Sequence, residues 1–96
     1  MPTYIALLKY TQQGAANVKD SPSRLDAGRK LFKKAGAKIK DTYLTMGRYD
    51  LVCIIDAPDD ETLARLVLQL GAAGNVQTET LKAFSEDQFR KIVDSL

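Results

Sequence analysis

Apolar residues alternate with polar ones in four stretches and recur at helical spacing in three, and the two periodicities divide the chain. Thr3–Thr11 is the first predicted strand. Tyr4, Ala6, Leu8 and Tyr10 share one face and Ile5, Leu7 and Lys9 the other, so a central strand covered on both sides is expected. Gln12–Gly14 reads as turn material, and Ala15–Asp20 as a short helical turn or loop. Ser21 then offers an N-cap and Pro22 a first helical residue. Leu25, Gly28, Leu31, Phe32 and Ala35 follow at helical spacing, with Gly28 expected to let the helix approach the sheet. Gly36 is the expected C′ residue. Lys38–Met46 is an edge strand, because Lys38 and Lys40 alternate with Ala37 and Ile39. A tight turn at Gly47 leads into Asp50–Ala57, the most apolar strand and therefore a central one.

Pro58 stops that strand, and Asp59, Asp60 and Glu61 place negative charge where the next helix begins. Leu63, Leu66, Val67 and Leu70 form one stripe of that helix, which Gly71 and Gly74 end. Asn75–Ala83 alternates weakly as a fourth strand. Ser85 and Gln88 have capping-box spacing, Phe84 is placed to staple onto Phe89, and Phe89, Ile92, Val93 and Leu96 give the last helix one apolar side. The order is βαββαβ plus a C-terminal helix. Right-handed crossovers turn it into an α+β, ferredoxin-like domain spanning residues 1–96, a four-stranded antiparallel sheet with both main helices on one face. The opposite face carries apolar side chains and no helix, so a second subunit, a ligand or RNA must meet it.

Composition narrows the chemistry. Ninety-six residues, 45% hydrophobic and 27% charged, suit one soluble globular domain with a modest core, and such a domain gains from association with a second copy. The single Cys53 excludes an intrachain disulfide. No apolar run reaches a membrane span and no secretory leader is visible, so a cytoplasmic protein without membrane attachment is expected. The chain has no His, which removes His-dependent triads, the usual zinc sites and haem ligation. Neither a phosphate-binding Gly-rich loop nor a dinucleotide fingerprint is present; no cofactor and no metal are expected.

At Gly47-Arg48-Tyr49-Asp50 the chain resembles the GYD family, small bacterial and archaeal proteins named for a Gly-(x)-Tyr-Asp motif and of largely unknown function. The likeness runs nearly end to end. It takes in Pro2–Ile5, Thr11–Gly14, Ser21–Arg24, Tyr43–Asp50, Ala57–Asp60 and Gly74–Leu81. The resemblance implies the dimeric α/β-barrel group, in which two ferredoxin-like sheets pack face to face around a cavity. Relatives in that group include small monooxygenases, dehydratases and stress-responsive barrels, so the fold leaves the chemistry open.

Three sets of residues are candidates for function. Tyr43, Arg48, Tyr49 and Asp50 are placed to touch a barrel cavity, with Tyr49 and Asp50 as hydrogen-bonding or acid–base groups; the structural alternative has Asp50 accepting backbone N–H bonds at the turn. Lys19 to Lys40 holds eight basic against two acidic residues, a local +6 in a chain of net +2. No nucleic-acid partner is expected, because Leu51–Ile55 lacks the aromatics of an RNA-binding sheet, and long basic side chains commonly coat an exposed helix. Within that run Lys19 and Arg24 sit near a helix start, where a cation gains nothing from the dipole, and are candidates for holding an anion. Cys53 reads as a core residue. Three functions follow: a homodimer with a small-molecule cavity, a cofactor-free monooxygenase- or isomerase-like enzyme using Tyr49 and Asp50, and a regulatory or assembly module whose sheet is an interaction surface.

Overall fold

The computed structural model describes residues 1–96. Four strands, β1 (Thr3–Tyr10), β2 (Lys38–Leu44), β3 (Leu51–Asp56) and β4 (Val76–Ala83), form one sheet in the order β2-β3-β1-β4, antiparallel throughout. The two most apolar strands are central and the Lys-rich strand is an edge, as the sequence predicts. Four helices accompany them: α1 (Gln12–Ala16), α2 (Ser21–Lys34), α3 (Asp60–Ala72) and α4 (Glu86–Asp94).

Alternation along β1 sends Tyr4, Ala6 and Leu8 to the helix side, where they are buried with Cys53 and Ile55 of β3. Phe32 of α2 and Leu63 and Leu66 of α3 cover them, and these residues are the centre of the core. Burying each such side chain stabilises the fold by about 1.5–3 kcal/mol. Ile5, Leu7, Val52 and Ile54 point to the opposite face, which no helix covers and on which they remain partly exposed.

Several local expectations hold. Gly36 takes φ +80° and closes α2 as a Schellman motif, its N–H reaching Lys33 O at 3.1 Å and that of Ala37 reaching Phe32 O at 2.9 Å. Asp59 caps α3 by accepting from the Thr62 N–H at 2.7 Å. The Ser85–Gln88 capping box on α4 is complete.

Four expectations need correction. Gln12–Gly14 is helical, because Thr11 caps it through the Gly14 N–H. Ser21 is not a cap: the 3-10 turn Val18–Asp20 runs straight into α2, Ser21 is already helical, and its hydroxyl bonds to that of Tyr10 at 2.7 Å. The β2–β3 connection is a six-residue loop, not a tight turn; the Thr45 N–H closes it onto Asp50 O at 2.8 Å, and Gly47 supplies φ +121° inside it. Gly28 does not bring α2 against the sheet, since a Cβ there would meet nothing within 4 Å.

Candidate functional site

The uncovered sheet face is built by register. Tyr43, Val52, Leu7 and Glu79 form one row across the four strands, and Asp41, Ile54, Ile5 and Leu81 the next. Its middle is therefore aliphatic and its edges carry polar groups. Tyr43 is 58% exposed and Leu81 46% exposed, enough to leave their rings and methyl groups available to another surface.

The β2–β3 loop overhangs one end of this face. Thr45 Oγ1 donates to Tyr49 O at 2.7 Å, holding the loop in shape. The Tyr49 hydroxyl reaches across the sheet and donates to the Glu79 carboxylate on β4. Since β3 and β1 lie between that loop and β4, the phenol spans the apolar rows beneath it. The Arg48 guanidinium stands 5.4 Å from the centroid of the same ring, a cation–π distance. Tyr43, Arg48 and Tyr49 thus belong to one end of the open face, together with Glu79. Glu79 is not legible as a site residue in the sequence: its only signal there is a strand face shared with Gln77 and Leu81 on a weakly patterned strand.

Asp50 turns the other way. Its Oδ2 accepts the Tyr10 N–H at 2.8 Å, and its own N–H donates to Leu8 O at 2.9 Å. It thereby satisfies backbone donors and acceptors where β1 runs past the end of β3, the structural role open to an Asp at a turn. Lys19 lies exposed on the 3-10 turn. Arg24 is on α2, behind the sheet, with Nη1 donating to Asn17 O at 3.0 Å. The candidate residues therefore divide between the two sides of the sheet.

Two further groups are explained by packing. Cys53 is buried, its Sγ lies 3.5 Å from Thr42 Oγ1, and burial pushes its thiol up, away from a reactive thiolate. Tyr4 is buried beneath α3 and donates to the exposed Asp60 carboxylate, which also pairs with Lys82 at 3.1 Å. That hydrogen bond, with burial, pushes the Tyr4 phenol to about 12, and together with Lys82 it draws the Asp60 carboxyl below its ordinary value. No three His, Cys, Asp or Glu side chains converge as a metal site. No helix is long and apolar enough to cross a membrane.

Comparison with known proteins adds a family and a fold. The model described as GYD domain matches residues 4–93. A protein of Thermus thermophilus named glutamine synthetase and cystathionine beta-lyase binding protein is 36% identical over 84 residues, covering 86% of this chain and 88% of that protein. The crystal structure of TTHA0845, also from Thermus thermophilus, is similar with a TM-score of 0.55 at 28% identity, over 88% of this chain and 95% of its own. MtbAldR shares the fold with a TM-score of 0.70 at 16% identity; the match covers 88% of this chain and 52% of MtbAldR, about half its length.

Proposed function

The chain belongs to the GYD domain family, and from that premise we propose that it works as a homodimer whose open sheets face each other and enclose a small-molecule-binding cavity. The observation that carries this reading is the aliphatic sheet face left bare by the fold, with Tyr43, Arg48, Tyr49 and Glu79 gathered at one end of it. Four strands about 4.8 Å apart, six to eight residues long at about 3.3 Å each, present roughly 460 Å² per copy. Two such faces come to roughly 920 Å², just under the roughly 1,000 Å² at which a specific interface begins. The apolar side of α4 adds to it: Phe89 is 59% exposed and Leu96 98% exposed, and α4 has no buried residue.

Face-to-face sheets pack about 10 Å apart, and bulky side chains at one end hold them open there. The ligand in this reading is a small, mainly apolar molecule with a hydrogen-bonding group. It lies on Leu7 and Val52 and bonds to the Tyr49 phenol or the Glu79 carboxylate, while Arg48 supplies positive charge. Asp50 supports the loop that carries Tyr49. The reading places the protein in the cytoplasm, where the lone Cys53 stays reduced.

A second reading is favoured by one observation, the name of the Thermus thermophilus relative. It makes this chain a regulatory or assembly module that holds another protein on the sheet and α4. Native mass spectrometry of freshly purified protein separates the two. The cavity reading expects a dimer with retained small-molecule mass that Tyr49→Phe diminishes. A monomer contradicts it and leaves the sheet to a different protein.

A further inference from the structure

On the other side of the sheet, α2 and α3 leave a cavity of about 290 Å³ between themselves and the strands. Fifteen of its twenty-one lining residues are hydrophobic, among them Leu8, Leu25, Leu31, Val67, Leu70 and Val76. Gly28 lines it too, and a Cβ at that position would meet nothing within 4 Å, so the space extends up to the backbone of α2. The core beside it is closed by Phe32, which is 0% exposed. The cavity opens to solvent past Ala27, Gln69 and Ala73, which are exposed, so a ligand has a way in.

One charged residue lines this cavity, Arg24, and no acid does. Arg24 makes no ion pair, and although Nη1 is bonded to Asn17 O, Nη2 is shut off from solvent with no hydrogen-bond partner. Withdrawing a guanidinium N–H from water without a partner is unfavourable, and a guanidinium that also lacks a counter-charge is stabilised by an anion at its accessible edge. Tyr10 and Ser21 also line the cavity; their hydroxyls are bonded to each other at 2.7 Å, which leaves one O–H free to donate to the same anion. Arg24 further lies in the first turn of α2, where the helix dipole favours negative charge.

The geometry points to a binding site for an apolar monocarboxylate, its chain between α2, α3 and the sheet and its carboxylate beside the Arg24 guanidinium. At about 30 Å³ for each non-hydrogen atom, the volume takes about ten of them, the size of octanoate. This site is separate from the sheet-face cavity and does not depend on dimer formation.

Calorimetric titration with octanoate, octylamine and octanol tests it. Octanoate binds the unaltered protein with one site per chain, and at least tenfold more tightly than octylamine. Arg24→Gln weakens octanoate at least tenfold and leaves octanol unchanged. Gly28→Leu fills the cavity, abolishes binding of both octanoate and octanol, and melts no lower than the unaltered protein. Failure of millimolar octanoate to bind the unaltered protein overturns the inference. Octanoate affinity that survives Gly28→Leu also overturns it, because the ligand then sits elsewhere, on the open sheet face for example. Preference for octanoate over octylamine on the unaltered protein remains a test if either variant fails to fold.

Discussion

Single residues decide how the ends of the sheet are joined. Thr11 donates its N–H to Asn75 O at 3.0 Å and its hydroxyl to Gly74 O at 2.6 Å, tying α1 to the start of β4. Gly14 packs so tightly on that segment that a Cβ would fall 2.0 Å from Asn75 O, a backbone atom with little freedom to yield. Gly14→Ala is therefore expected to lower stability by about 3 kcal/mol or more, read as a shift in urea midpoint at constant slope. An unchanged midpoint would show that the contact relaxes. Asp50→Ala strands the Tyr10 N–H and is expected to cost about 1–3 kcal/mol; stability loss with undiminished ligand retention assigns Asp50 to the loop's support. The carboxylates of Asp59 and Asp60 are held below the ordinary 3.8, the first by the Thr62 N–H and the second by the Tyr4 phenol. Their contribution is complete above pH 3.8 and is lost as pH falls below it through their depressed values. Tyr4 runs the opposite way: its contribution is complete below pH 10.0 and is lost as pH rises towards 12. Melting temperature against pH should fall at both ends, and Asp60→Asn should flatten most of the alkaline fall.

At the scale of elements, what the sequence disclosed depended on range. Caps and strand faces rest on neighbours a few residues apart, so Asp59, Gly36 and the Ser85–Gln88 pair could be read directly. Strand order followed from which strands were apolar on both faces. The face of β1 that meets the helices did not follow, because both are apolar and only tertiary packing chooses. The Tyr49–Glu79 contact joins residues thirty apart through the register of three strands, which single-strand alternation does not supply. Gly28 was legible as exceptional but not in kind, since a small residue serves equally for close approach and for open space. Gly28→Ala distinguishes these: the helix gains about 1 kcal/mol from the better helix former, whereas close approach would give a loss. Nine residues are few for an isolated helix to hold in water, and none of them is buried, so α4 is the element least supported by the rest of the chain. Its amides should exchange rapidly in dilute monomer and slowly once a partner is bound.

The whole molecule is 48 Å long and 18 Å thin, the shape of a one-sided sheet with a projecting helix. Helices seal one face around Phe32, Ile55 and Leu66, while no element of the chain covers the other. Mass in solution measures most directly whether a second copy covers that face. Light scattering should give twice 10.6 kDa for the unaltered chain. It should give 10.6 kDa for Ile5→Lys, which puts a charge between Ile54 and Leu81 without touching the helix-side core. A mass of 10.6 kDa for the unaltered chain at every concentration tried would contradict a sheet-to-sheet dimer.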